Sequence, residues 1–250
     1  MKPTILYEKN YHIDLRDVDF QKKLKLSALF SYFQDAANDA ARRLGVGIDT
    51  LQEKFDAAWV LMRLKVDIER LPSLDEEITI ETWPQEPRRF DFERDFLVKG
   101  RDGNIIIRAI SSWGIIDLKE RKLVKASAIS LEYPEVIEER AIHGKLRKLK
   151  GTDPMHPVYK KVIGYSDIDF NGHLNNSRYI DYMMDCFPIE DHEKYQPESL
   201  EVNFINEALP GDEIVMKQGE GETSGEIIME GVREKDDTVI FRAKVKIKEI

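Results

Sequence analysis

The chain has 250 residues, 42% hydrophobic and 34% charged, with 38 Lys and Arg against 47 Asp and Glu and a formal net charge of −9. That composition fits one large or two ordinary globular domains and excludes a largely disordered chain. The acidic balance argues against a duplex nucleic-acid binder, no apolar run approaches the ~18 residues of a membrane span, and the single cysteine, Cys186, excludes an internal disulfide.

In chain order, the tetrad Asp17-Val18-Asp19-Phe20 precedes a helical pattern over Ser27–Leu44, where Leu29, Phe30, Phe33, Ala36, Ala37, Ala40 and Leu44 recur on one face. Ser27 suits its cap and Gly45 the left-handed residue after its end. Runs rich in β-branched and aromatic residues then predict strands over Trp59–Ile68, Glu77–Trp83, Phe90–Lys99, Asn104–Ile116 and Leu123–Ala126, separated by Pro72, Pro84 to Pro87 and Asp102-Gly103. From Arg140 to Lys161 seven basic residues face one acid, Asp153, and Gly144, Gly151, Pro154 and Pro157 break any periodicity, so this stretch reads as a solvated basic linker. A second helix is expected from Asn175-Asn176-Ser177 to Pro188, with Ile180, Met183, Met184 and Phe187 on one stripe. Strands over Glu198–Ile205, Asp212–Gly219, Ser224–Glu234 and Thr238–Glu249 follow.

The two halves repeat each other. Asp17-Val18-Asp19-Phe20 recurs as Asp167-Ile168-Asp169-Phe170, and Leu64 to Ile68, Leu71-Pro72 and Asp75-Glu76 are matched to Leu200 to Phe204, Leu209-Pro210 and Asp212-Glu213. The expected fold is α+β, one long helix wrapped by an antiparallel sheet, twice. The expected division is an N-terminal domain over 1–138, a basic linker over 139–160 and a C-terminal domain over 161–250.

Several familiar sites are set aside. Gly219-Glu220-Gly221 leads into a strand pattern, not a helix, and reads as a hairpin turn. The histidines contain no HxxxH pair, so no metal site is expected. Cys186 falls within the second helical stripe, as a small buried residue would. The informative stretch is Asp169, Asn171 and His173, alternating just before a helix start; in an extended segment that period places all three on one face. A carboxylate, an amide and an imidazole beside free helix N–H groups suit acyl transfer. A capped polar turn explains the same residue types. The first half carries Asp19, Gln21 and Lys23 at the matching places, so the Asp-Asn-His set exists once. Glu207 follows a strand end, where most glutamates are simply solvated.

The string Asp167-x-Asp169-x-Asn171-x-His173-x-Asn175-Asn176-x-x-Tyr179, with Asn206-Glu207 downstream, resembles the acyl-acyl carrier protein thioesterase family of plant plastids and bacteria. Trp59 to Arg63, Glu81-Thr82-Trp83 with Arg88, and Ala109-x-Ser111-x-Trp113 followed by Asp117, Arg121 and Leu123 extend the resemblance over nearly the whole chain. It implies a tandem double hotdog fold and hydrolysis of the thioester between a fatty acyl chain and the phosphopantetheine arm of acyl carrier protein, which ends fatty acid synthesis. Carried over residue by residue, the catalytic positions fall on Asp169, Asn171, His173 and Glu207. A cysteine found beside the glutamate in many members is Ala208 here, which argues against a cysteine–histidine mechanism.

The implied chemistry is water-mediated. Glu207, alone or with His173, takes a proton from water, Asn171 holds water or carbonyl, and Asp169 orients Asn171 and His173. The acyl chain is expected in the first half, with Trp59, Phe30, Phe33 and Arg63 as candidate contacts. The basic segment offers a dock for the acidic carrier. No cofactor or metal is implied, and two hotdogs in one chain already mimic the usual dimer, leaving a homodimer as an option. The start at Met1 to Ile5 shows no signal or transit peptide, which points to a cytoplasmic bacterial enzyme. A coenzyme A thioesterase and a non-enzymatic acyl-binding sensor are the competing readings.

Overall fold

The structure, a computed structural model, describes residues 5–129 and 137–250. The chain forms two compact units: one runs up to Leu24 and from Ser31 to Leu146, the other joins Lys25–Phe30 to Arg147–Ile250.

The elements of the first unit are β1 (Tyr7–His12), α1 (Leu26–Arg43) from Ser31 onward, α2 (Ile48–Phe55), β2 (Ala57–Ile68), β3 (Glu77–Pro84), β4 (Phe92–Lys99) and β5 (Ile105–Asp117). The strands pair antiparallel in the order β1-β3-β4-β5-β2. Along β2, Leu64, Val66 and Ile68 are buried while Lys65 and Asp67 are not, the period-two signature of a sheet with one core face. Helix α1 buries Leu29, Phe30, Phe33, Ala36, Ala37 and Ala40, and Phe33 meets Phe96 of β4 at 4.7 Å. Its end is a Schellman cap: Gly45, at φ +76°, donates to the Arg42 carbonyl at 3.0 Å and Val46 to the Ala41 carbonyl at 2.9 Å. Each fully buried large side chain on this stripe contributes about 1.5–3 kcal/mol relative to exposure.

The second unit repeats the plan with β6 (His156–Val162), α3 (Asn176–Met184), α4 (Ile189–His192), β7 (Tyr195–Phe204), β8 (Glu213–Glu220), β9 (Glu226–Arg233) and β10 (Thr238–Glu249). Its antiparallel order is β6-β8-β9-β10-β7, the first unit's order strand for strand. Tyr179 of α3 packs edge-on against Phe204 of β7 and Phe241 of β10, both at 5.4 Å. Helix against antiparallel sheet, twice, is the expected α+β double hotdog arrangement. Among the described residues no helix is long and apolar enough to cross a membrane.

Several local expectations differ. Leu123–Ala126 is not a strand: Leu123 makes a single bridge to Ile116 before Ala126 turns away to bond Arg89 and a 3-10 turn begins. The second helix ends at Met184 rather than near Pro188, its exit tightened by Cys186 bonding back to Met183. Strands β1 and β6 and helix α2 were not expected; β6 carries Pro157 at a bulge on its sheet's edge, where proline is tolerated.

The basic stretch 139–160 is also no solvated tether. Ala141, Ile142 and Leu146 pack against Trp83 and Ile110, and Trp83 Nε1 donates to the Glu139 carbonyl at 3.0 Å. Arg140 pairs with Glu93 at 2.9 Å and with the fully buried Asp95 at 3.1 Å, while the Ala141 N–H donates to Asp95 at 2.7 Å. Burial nevertheless holds the Asp95 carboxyl above the usual range. Further on, Leu149 exchanges bonds with Asn203 and Arg242 before β6 begins at His156.

Candidate active site

The site begins with a turn. After a 3-10 turn over Tyr165–Asp167, Asp169 Oδ1 accepts the Asn171 N–H at 2.9 Å and the His173 N–H at 3.1 Å. The Asp169 N–H donates to the His173 carbonyl at 2.8 Å, and Gly172 supplies the left-handed residue at φ +81°. The three residues are therefore gathered by a carboxylate-centred turn, not by the expected strand alternation. The carboxylate engages Asn171 and His173 through their backbone N–H groups.

A loop after β7 brings the second partner. Ile205 and Asn206 donate to the Ile240 carbonyl at 2.8 and 3.0 Å, and Asn206 Nδ2 donates to the Val239 carbonyl at 2.7 Å. The buried Ala208 then accepts the Leu174 N–H at 3.0 Å. That bond sets residue 173 beside residue 207, and His173 Nε2 lies 3.4 Å from Glu207 Oε2. The imidazole is 29% exposed and the carboxylate 45%, so both can meet water. Asn171 is exposed at the tip of the turn.

Helix α3 stands behind the pair. Its cap, Asn175, accepts the Ser177 N–H at 3.0 Å, as the Asn-Asn-Ser start predicts. Tyr179 is buried, and burial, followed by the nearby Glu207 and Asp169 charges, raises its hydroxyl pKa. The Ala208 backbone beside its oxygen works in the opposite sense. Tyr179 therefore stays protonated at the back of the pair.

The first unit builds the same frame around different side chains. Asp19 Oδ1 accepts the Gln21 and Lys23 N–H groups, both at 2.9 Å, and Leu24 donates to the Pro72 carbonyl at 2.8 Å, as Leu174 does to Ala208. Glu69 and Arg70 both donate to the Ile106 carbonyl, as Ile205 and Asn206 do to Ile240. These bonds align Lys23 with His173 and Leu71 with Glu207. The sequence match of Leu71-Pro72 with Leu209-Pro210 was out of step with this frame. A lysine and a leucine cannot form an imidazole–carboxylate pair, so at these aligned positions the pair stands in the second unit alone.

Comparison with known proteins places the chain. The acyl-ACP thioesterase N-terminal domain matches residues 4–132 and the C-terminal domain residues 158–248. The chain belongs to the acyl-ACP thioesterase family. A crystal structure of an acyl-ACP thioesterase from Bacteroides thetaiotaomicron is 29% identical, with a TM-score of 0.83 over 97% of this chain and 98% of that one. An oleoyl-acyl carrier protein thioesterase of Arabidopsis thaliana is 23% identical over 91% of this chain and 66% of its own length. An acyl-[acyl-carrier-protein] hydrolase of Cuphea viscosissima is 24% identical over 81% of this chain and 52% of its own. This family member thus spans about half to two thirds of the length of these curated relatives.

In this acyl-ACP thioesterase family chain, Cys186 lies just beyond α3, where its Sγ donates to the Tyr182 carbonyl at 3.2 Å and burial pushes the thiol up to about 12. A thiol held there carries almost no thiolate near neutral pH. Among the described residues, no cluster of His, Cys, Asp and Glu is placed to hold a metal ion. Of the expected acyl contacts, Trp59 donates to the Val46 carbonyl at 2.8 Å and packs edge-on to Phe92 at 5.0 Å. Phe30 is fully buried and Phe33 meets Phe96, while Arg63 shares the β2 face of Lys65 and Asp67, opposite Leu64. Of the basic segment, Arg140 is committed to Glu93 and Asp95 and Lys160 to Glu213 and Glu234, leaving Lys145, Arg147, Lys148 and Lys150 exposed.

Proposed function

We propose that the chain hydrolyses the thioester of fatty acyl-acyl carrier protein and releases the free fatty acid, so ending chain elongation. The observation that carries this reading is the His173–Glu207 pair at 3.4 Å, present in one of two otherwise matching frames of an acyl-ACP thioesterase family member. Glu207, acting with His173, takes a proton from water, and the resulting hydroxide adds to the thioester carbonyl. Asn171 holds the water or carbonyl, and N–H groups at the start of α3 stabilise the oxyanion. Collapse breaks the carbon–sulfur bond, and the departing thiolate takes a proton back from the pair. Asp169 serves by holding the backbone of the turn.

The acidic carrier is assigned to Lys145, Arg147, Lys148 and Lys150, where complementary charge raises the encounter rate. Trp59, Phe30, Phe33 and Arg63 are the candidate acyl contacts, and the domain division at the basic segment stays part of the reading. One cysteine without a disulfide partner fits a cytosolic location.

The test is thiol release from acyl carrier protein and coenzyme A esters of several chain lengths, by the wild type and by Glu207→Gln. A base within reach of water contributes about 10²–10⁴-fold, so Glu207→Gln should lose turnover on that scale while remaining folded. Equal rates on both donors would move the chain to a coenzyme A thioesterase, and tight acyl binding with no release would make it a sensor. Charge reversal of the four basic residues should raise KM for the carrier and leave coenzyme A esters unaffected.

A further inference from the structure

Arg233, the last residue of β9, ties the loop that carries Glu207 at both ends. Its Nη1 donates to the Glu207 carbonyl oxygen at 3.3 Å and reaches Asp212 Oδ2 at 3.5 Å. Its Nε and Nη2 hold Asp236 at 2.9–3.1 Å, and the arginine side chain is only 17% exposed. Asp212, nearly fully buried, accepts the Leu209 N–H at 3.0 Å and also pairs with Lys235 at 2.6 Å. The segment from Glu207 to Asp212 is thus pinned by one guanidinium that is itself immobilised by Asp236.

The first unit meets the same structural need differently. Glu76 occupies the place of Asp212, donating its N–H to the Ser73 carbonyl as Asp212 does to Leu209, and it is neutralised from within the loop by Arg70 at 2.8 and 3.0 Å. The strand register of β3 and β4 ends at Thr79 and Lys99, so the place of Arg233 falls on Gly100. A Cβ there would stand 2.7 Å from Arg70 Nη2. In the second unit Asn206 replaces Arg70, and the arginine stands on the strand instead. The first unit shows an arginine in the loop pairing with the carboxylate at this place, which is 18% exposed there against 4% for Asp212. Only from the strand does the arginine also reach the carbonyl of residue 207, and only this unit has a carboxylate there to position.

We propose that Arg233 is a positioning residue for Glu207, fixing the loop so that the carboxylate faces His173 in the productive geometry. The proposal rests on the hydrolase reading above, in which Glu207 acts on water. Asp236 serves it in turn by holding the guanidinium.

The test is a double-mutant cycle in steady-state hydrolysis of acyl-carrier thioester, using Arg233→Ala, Glu207→Gln and the pair, each checked for folding by circular dichroism. Displacing a catalytic group by about 1 Å lowers turnover on the order of 10- to 100-fold, so Arg233→Ala should lower kcat on that scale with KM changed by less than about threefold. In the Glu207→Gln background the same substitution should change kcat by less than about twofold, since the group it positions is gone. Added guanidinium ion should restore part of the turnover of Arg233→Ala. Losses that multiply in the double variant, or an unchanged kcat in Arg233→Ala, overturn the positioning role while leaving Glu207 intact. A Glu207→Gln enzyme with wild-type turnover overturns the hydrolase reading itself, and the proposal with it. If Arg233→Ala does not fold, the same cycle is run with Arg233→Lys, which keeps the charge but loses the fork; the same coupling is expected, and its absence overturns the proposal.

Discussion

Gly231→Ala tests how far the site depends on packing behind it. Gly231 of β9 pairs with Phe241 of β10, and a Cβ there would lie 2.2 Å from Phe241 Cε1 and 2.6 Å from Cδ1. Carbon atoms settle at about 3.5–4.0 Å, so the ring must retreat by about 1.3 Å or more. It has nowhere easy to go: Phe241 is fully buried and meets Tyr179 at 5.4 Å. Overpacking of this kind costs about 1–3 kcal/mol, and a rigid ring against a strand backbone belongs at the upper end. For a chain of this size, where 1 kcal/mol moves the melting temperature by about 2–4 °C, about 3 kcal/mol predicts a fall of roughly 6–12 °C. A displaced Tyr179 also disturbs the Ala208 backbone beside Glu207, so turnover measured well below the melt should fall about tenfold. Thermal unfolding followed by circular dichroism, with thiol release on the same samples, checks both effects. Phe241→Leu in the Gly231→Ala background should recover much of the stability. A melting temperature within about 1 °C of wild type for Gly231→Ala, or no recovery in the double variant, would refute the packing argument.

Arg140→Met removes the cation between Glu93 and the fully buried Asp95, and leaving a buried charge unpaired should destabilise the fold by about 3–5 kcal/mol in urea unfolding. The Asp95 carboxyl already sits above the usual range through burial, so the deficit should shrink as pH falls through its raised pKa; a deficit independent of pH would contradict this. Asp236 is held down to about 2 by the Arg233 guanidinium, below its ordinary 3.8. Its contribution is present above the ordinary value and lost as pH falls from about 4 to about 2, so Asp236→Asn should flatten the urea midpoint over that window. Cys186→Ala should keep kcat within about twofold, and alkylating reagents at neutral pH should leave wild-type turnover intact, because the buried thiol is pushed up to about 12.

The order of elements was legible because α1 and the central strands declare their periods: Leu29, Phe30 and Phe33 at helical spacing, Leu64, Val66 and Ile68 at alternate places. Edge strands were harder. Tyr7–His12 and His156–Val162 each face little core, so polarity hides their pairing, and Pro157 disguises the second further. The segment from Glu139 to Leu149 was misread because its lysines and arginines outnumber the few buried residues, Ala141, Ile142 and Leu146, that fasten it. At the site, residue types pointed to Asp169, Asn171 and His173 and the family resemblance added Glu207, yet the role of Asp169 needed the turn to be seen. The Leu-Pro match between the halves was coincidental, and only the bonds to Ile106 and Ile240 reveal that Leu71 stands where Glu207 does. Arg233 gave no signal in sequence, since an arginine at a strand end before Asp236-Asp237 reads as surface charge.

The two carboxylate-centred turns separate scaffold from chemistry. Asp19 and Asp169 fold their turns through backbone N–H groups, which every residue but proline provides, so residues 21 and 23, or 171 and 173, can vary without the turn being lost. Lys23 and Leu71 stand where the other unit has His173 and Glu207, so exchanging them for histidine and glutamate would put an imidazole and a carboxylate on a frame with the same backbone bonds. The fold holds the same backbone frame twice, once with an imidazole and a carboxylate side by side and once with a lysine and a leucine in their places.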